Sequence, residues 1–214
     1  MPTYDLALES YVRALFGQEE DEFVSIREKT VAAGLPQIMI APEEGRFLEF
    51  LAVSIGARNA LEIGTLGGYS GSWIARGLAE GGRLLTIEQD AMRAQLARDN
   101  LDSVGLGHLV EVRNGNAHKI LSEVSDEGPF DLIFIDAEKE GYPRYYAWAI
   151  ENLAPGGILA AHNAFSHGAV VDDEDQRERT KALRRFSEQL ASNSDFVSLI
   201  YPAGDGIAFG VKRS

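Results

Sequence analysis

Ala60-Leu61-Glu62-Ile63-Gly64-Thr65-Leu66-Gly67-Gly68-Tyr69-Ser70 is the stretch whose reading decides the fold. Ala60 to Ile63 reads as a short buried strand. Three glycines then form a turn that opens a helix from Tyr69 to about Ala79. A glycine-rich loop between a strand and a helix lets a nucleotide-like ligand come close to the backbone. The loop is not G-x-G-x-x-G, and it lacks the Lys-Ser/Thr of a phosphate-binding loop. The carboxylate of Glu62 beside it would repel a pyrophosphate and would suit a cationic ligand. The plainer alternative is a tight turn next to an incidental glutamate.

Outward from this loop, strands and helices alternate. On the N-terminal side, residues 1–40 read as helices without a strand pattern. Pro42 then opens a helix with Glu43 and Glu44 in its first turn, and Phe47, Leu48, Leu51 and Ile55 follow at helical spacing up to Gly56. On the C-terminal side the expected strands are 83–87, 109–112, 130–135, 158–161, 196–201 and 207–211. Helices are expected after Asp90, around 118–124, over 142–153 and over 175–192, with Pro155-Gly156-Gly157 as a turn. The acidic run Asp172-Asp173-Glu174-Asp175 reads as an exposed loop complementing a helix dipole. Alternation of this kind predicts an α/β fold: a seven-stranded, mostly parallel sheet with helices on both faces. Ligands of such sheets bind at the carboxyl ends of the strands, where strand order reverses.

Composition sets the outer bounds. A chain of 214 residues fits one large domain, and at this length it buries roughly 70% of its unfolded surface without staples. It is 45% hydrophobic and 25% charged, which is ordinary for a globular protein. Twenty basic against thirty-three acidic residues leave a net charge of -13. That balance argues against nucleic acid or an anionic membrane surface as a partner. The absence of cysteine excludes disulfides, thiolate metal sites and cysteine nucleophiles. Met1 to Phe16 carries Asp5 and Glu9 and does not read as a signal peptide. With no apolar run of membrane-spanning length, the expected location is the cytoplasm.

The chemistry-bearing residues fall at the expected strand ends. Glu88 lies twenty-four positions beyond Gly64, where an acid accepts hydrogen bonds from ribose hydroxyls. In Gly115-Asn116-Ala117-His118 a small residue leaves room for an adenine ring. Asp136, ending an apolar strand, is a candidate metal or substrate ligand, with Lys139 three residues on. His162 and Asn163 end the next strand and complete an Asp-His-Asn set. Each has a plainer reading as a cap or a polar turn, but three together at neighbouring strand ends favour function.

On these residues the chain resembles the cation-dependent O-methyltransferases of methyltransferase family 3, the caffeoyl-CoA and catechol type, in their short bacterial form. The resemblance runs through Met39-Ile40-Ala41-Pro42-Glu43-Glu44-Gly45-Arg46-Phe47-Leu48, Leu61-Glu62-Ile63-Gly64-Thr65, Gly68-Tyr69-Ser70 and Thr86-Ile87-Glu88. It continues through Phe130 to Lys139 with Tyr142, Leu153-Ala154-Pro155-Gly156-Gly157, Asn163 and Gly204-Asp205-Gly206. It implies a single Rossmann-like class I methyltransferase domain over 1–214, with 1–40 as a helical lid region and 41–214 as the core. It implies S-adenosylmethionine as methyl donor. Glu62, Gly64, Thr65 and Ser70 would surround its methionine part, Glu88 its ribose and Ala117 its adenine, with Ile40 touching it from the lid side. S-adenosylmethionine carries a sulfonium and an ammonium and no phosphate, in keeping with the acidic loop.

In such enzymes a divalent cation chelates two neighbouring oxygens of a small aromatic acceptor, and a lysine, here Lys139, takes the hydroxyl proton. The family's metal site is Asp followed by Asp-Asn. This chain has Asp136 followed by His162-Asn163, so a carboxylate has become an imidazole. Nitrogen disfavours magnesium and favours manganese or a softer metal. Three readings follow: a softer metal held by Asp136, His162 and Asn163; a metal-free enzyme with His162 or Lys139 as base; or a weakly catalytic or purely S-adenosylmethionine-binding protein. A nicotinamide-dependent oxidoreductase shares the fold class but not the loop. The resemblance also implies a homodimer.

Overall fold

The computed structural model describes residues 6–214; Asp5, part of the N-terminal stretch read above, lies outside them. Seven strands form one sheet in the order β3-β2-β1-β4-β5-β7-β6. They are β1 (Asn59–Ile63), β2 (Arg83–Glu88), β3 (Val110–Asn114), β4 (Phe130–Ile135), β5 (Leu153–His162), β6 (Phe196–Tyr201) and β7 (Ile207–Lys212). Strands β1 to β5 run parallel, and β7 is antiparallel to both β5 and β6. The eight α-helices of the described residues are α1 (Leu6–Phe16), α2 (Asp21–Ala32), α3 (Pro42–Ser54), α4 (Tyr69–Gly77), α5 (Ala91–Ser103), α6 (Ala117–Glu123), α7 (Tyr142–Asn152) and α8 (Glu178–Ser192).

Strand β4 shows why the sheet is covered on both sides. Successive side chains point to opposite faces. Ile133 and Ile135 join Leu61, Ile63, Tyr142 and Phe186 on one face. Leu132 and Phe134 join Leu48, Trp73, Ile74 and Phe23 on the other. Both sets are apolar, so the strand reads as a continuous hydrophobic run, as strands buried on both faces do.

The expected elements are present, with two differences. Strand β5 begins at Leu153 and takes in the Pro155-Gly156-Gly157 segment that reads as a turn; the irregularity appears as a register shift opposite Phe130 and Leu132. Helix α8 starts at Glu178, three residues after the acidic run ends. Asp175 is drawn instead to the Arg177 guanidinium, a local ion pair that competes with helix initiation. Between β5 and α8, Ser166–Val171 forms short helical turns with Ser166 and His167 at positive φ.

Strand order reverses between β1 and β4, and this is where the ends of Ile63 and Ile135 meet. The amide of Asp136 donates to the carbonyl of Ile63 at 2.8 Å. A Cβ on Gly64 (φ 99°) would sit 2.2 Å from the carbonyl oxygen of Asp136. Only glycine permits both the conformation and the approach.

Candidate active site

A cavity of about 1170 Å³ opens over the carboxyl ends of β1 to β5. Its wall includes Ile40, Gly64, Thr65, Ser70, Glu88, Ala117, Asp136, Lys139, His162 and Asn163, so every expected site residue except Glu62 reaches it. A shallower depression beside Ser166–Gly168 shares His167 and Arg179 with its rim.

One half is built by the loop after β1 and the end of β2. Glu88 is buried, and its two carboxylate oxygens accept the backbone amides of Leu66 (2.8 Å) and Asp90 (2.9 Å). These bonds fix the carboxylate while each oxygen keeps a lone pair for a ligand hydroxyl. Leu66 itself is held at φ 48°, a conformation unusual for leucine. Ala117 begins α6, where Asn116 caps the helix by accepting from the Lys119 amide.

Glu62 does not line the cavity. It is fully buried behind the loop, where its carboxylate accepts the hydroxyls of Ser70 and Thr86, both at 2.6 Å. Thr65 is tied to the same cluster through Thr86 at 2.6 Å. Burial pushes the Glu62 carboxyl up to about 7, against the two hydroxyl hydrogen bonds. The residue expected around the methionine part therefore supports Ser70 and Thr65 from behind.

The acceptor-facing half is a chain of alternating charges. Lys139 Nζ donates to Asp136 Oδ1 at 2.8 Å and to the Tyr142 hydroxyl at 2.9 Å. That hydroxyl lies 3.1 Å from the carbonyl of His162. The His162 ring sits between two carboxylates: Nε2 is 3.0 Å from Glu44 Oε1, and Nδ1 is 3.3 Å from Asp136 Oδ2. Glu44 and His162 are both buried, and Glu44 Oε2 accepts the Ala41 amide at 2.7 Å. Asn163, at φ 61°, donates its amide to Asp205 at 2.9 Å. Burial alone would lower the basicity of His162, but Asp136 and Glu44 outweigh it and raise the ring to about 10. Burial would raise Asp136, and Lys139 with His162 overcome this and hold it well below the usual carboxylate range.

Glu44 and Asp205 are the members of this cluster that strand-end reasoning missed. Glu44 stands in the first turn of α3, where acidic residues are unremarkable dipole partners. Its packing leaves one sequence trace: a Cβ on Gly204 would lie 2.3 Å from Glu44 Oε1, which accounts for glycine in Gly204-Asp205-Gly206.

Both implied ligands can be set against this geometry. The loop half fits an adenosyl sulfonium: a glycine cradle, a fixed carboxylate, and no basic residue within the loop from Gly64 to Ser70 to select a phosphate. The set Asp136, His162 and Asn163 brings a carboxylate, an imidazole and an amide oxygen to neighbouring strand ends, and His162 Nδ1 is buried without a hydrogen-bond partner, so these are the residues that would hold a divalent cation. Lys139 holds Asp136 Oδ1, Glu44 holds His162 Nε2, and Asn163 donates its amide nitrogen to Asp205, which fixes the three side chains in place. Among the described residues no group of three or more His, Cys, Asp or Glu side chains is arranged to hold a metal ion.

Comparison with known proteins agrees with the donor half. The O-methyltransferase family model matches residues 16–213. A catechol O-methyltransferase of Niastella koreensis is 39% identical over 190 residues, 88% of this chain and 86% of that protein. A catechol O-methyltransferase of Mycobacterium tuberculosis is 38% identical, over 85% of this chain and 84% of that protein. The O-methyltransferase of Bacillus cereus, solved in complex with SAH, superposes with a TM-score of 0.90 at 36% identity and covers 97% of both chains. With its Rossmann-like sheet, its glycine cradle and its fixed Glu88, the chain belongs to the O-methyltransferase family and is an S-adenosylmethionine-dependent O-methyltransferase.

Proposed function

We propose that the acceptor is a small aromatic hydroxyl compound of the catechol type. The observation that carries this reading is the single cavity that joins the donor half to the Asp136–Lys139 pair. The two relatives named for catechol support the acceptor class. S-adenosylmethionine supplies a sulfonium methyl group: an O–C bond forms as the S–C bond breaks, and the S–C electron pair stays on sulfur.

The residues of the chain bind and orient. Glu88 accepts the ribose hydroxyls, Ala117 and Ile40 contribute apolar walls, and Thr65 and Ser70, braced by Glu62, shape the loop. Lys139 spends two of its three N–H donors on Asp136 and Tyr142. The third is available to the acceptor oxygen, so Lys139 stabilises the developing oxyanion by charge. This reading gives Lys139 a different role from the expected one of proton acceptor. The proton leaves to water at the cavity mouth. Much of the rate enhancement comes from holding the oxygen in near-attack geometry. Residues 1–40 act as a lid region, and the active form is a homodimer.

The test is transfer of label from S-adenosylmethionine to catechol. Lys139→Ala is expected to lower kcat by roughly 10²–10³-fold, the usual cost of one oxyanion-stabilising donor, while donor affinity measured by calorimetry stays unchanged. Unchanged kcat in that variant would remove Lys139 from the reaction.

A further inference from the structure

We infer that Tyr142 is a positioning residue of the transfer reaction: its buried hydroxyl takes one N–H of Lys139 and so aims Nζ at the acceptor oxygen. The inference rests on the proposed role of Lys139 and deepens it.

Tyr142 opens α7 and is fully buried. Its hydroxyl lies 2.9 Å from Lys139 Nζ, 3.2 Å from the carbonyl oxygen of Ile135 and 3.1 Å from that of His162. A phenol has one proton to give and lone pairs to receive. The two carbonyls can only accept, so the proton goes to them. The hydroxyl oxygen is left to accept from Lys139. Ile135 and His162 are the last residues of β4 and β5. Through one atom the lysine is therefore referenced to both strand ends, and not only to the Asp136 carboxylate three residues before it.

Beyond its stem, Nζ has three tetrahedral directions. Asp136 Oδ1 takes one at 2.8 Å and the Tyr142 hydroxyl takes the second. Two anchors fix the third direction, which is the one left for the acceptor, since Lys139 lines the cavity. That direction is the same whether Nζ presents an N–H or a lone pair there. With the carboxylate alone, the ammonium could swing about a flexible four-carbon stem. The hydroxyl is itself held by packing. The Tyr142 ring meets Phe186 edge-on at 5.5 Å, inside the cluster that includes Ile135 and Leu183. Tyr146, one turn further along α7, supplies the comparison. Its ring is also buried and meets Phe186 at 5.7 Å. Its hydroxyl, however, bonds to the Gln189 carbonyl at 3.2 Å and to the Asn193 amide at 2.9 Å, and none of these residues lines the cavity.

The test uses the full chain. Tyr142→Phe keeps the ring and removes the hydroxyl. With labelled S-adenosylmethionine and catechol it is expected to lower kcat at least about tenfold, while KM for catechol and the calorimetric affinity for the donor stay within about twofold of the wild type. Tyr146→Phe removes a buried hydroxyl from the same helix and is expected to leave kcat within about twofold. An unchanged kcat in Tyr142→Phe, or an equal loss in Tyr146→Phe, overturns the inference. In the Lys139→Ala background Tyr142→Phe is expected to cost less than about twofold more, because its effect runs through the lysine. A full further loss in that background also overturns it. NMR of isotope-labelled lysine reads the anchor without turnover. The two ε protons of Lys139 are expected to have distinct shifts in the wild type, and to converge in Tyr142→Phe as the side chain becomes mobile. Unchanged splitting in that variant overturns the inference. So does a mobile Lys139 in the wild type, a result that requires no variant to fold. If catechol is not methylated under any condition, the acceptor reading fails while the NMR arm still decides whether Tyr142 positions Lys139.

Discussion

Glu62 shows how much a neighbouring set can change the meaning of one side chain. Beside a glycine-rich loop it reads as a ligand for a cationic donor. In the structure it is a fully buried support for Ser70 and Thr86, with a carboxyl pushed up to about 7 by burial. A raised folded-state value means that the folded protein holds the proton more tightly than the unfolded chain. Its contribution to stability is therefore complete below the unfolded value near 4.5 and is lost as pH rises through about 7. The difference amounts to about 3 kcal/mol by linkage. Glu62→Gln is expected to flatten the fall in melting temperature between pH 5 and 8, and thermal denaturation across that range checks it. An unchanged slope would show that Glu62 is not the group responsible. Glu88 differs although it too is a buried acid, because two backbone amides hold its carboxylate open to the cavity. Its position after β2 made it legible in the sequence; its backbone partners were not.

At the scale of elements, the β1–α4 turn is the decisive one. Gly64 joins two constraints, a φ of 99° and contact with the β4 backbone. Gly64→Ala is expected to destabilise the fold by about 1–3 kcal/mol through strain and to weaken donor binding at least about tenfold by moving the loop. Calorimetric titration with S-adenosylmethionine, alongside chemical denaturation, separates the two effects. Donor affinity equal to the wild type would mean that the turn relaxes without moving the loop. Strand β4 tests the packing in the same way. Phe134 is fully buried on the α3–α4 face, and Phe134→Ala is expected to cost about 3–5 kcal/mol in chemical denaturation. The strands and most helices were legible because their apolar patterns are long and regular. Strand β5 was not legible over its full length: Pro155-Gly156-Gly157 has the composition of a turn, and it is the pairing of Leu153 with Phe130 of β4 that brings the start of the strand into the sheet.

For the whole molecule, the apolar side chains left on the outside are informative. Tyr11, Leu15 and Phe16 on α1, with Phe50 and Val53 on α3, are exposed, and α1 is tied to α3 by the Arg13–Glu43 ion pair at 2.8 Å. Adjacent helices carrying such residues offer a surface for a second copy. Light scattering is expected to give twice the 23.3 kDa chain mass, and Phe50→Glu is expected to shift it toward the monomer; a 23.3 kDa wild type would refute the homodimer. No helix of the described residues is long and apolar enough to cross a membrane. By itself the sequence determined the α/β class, the strand ends that carry Gly64, Glu88, Asp136 and His162, and the family, because each depends on local pattern and short spacing. Only the tertiary structure decided what those residues do together. Glu44 and His162 lie 118 positions apart, and charge, hydrogen bonding and proton placement are properties of neighbours in space, which no local pattern records.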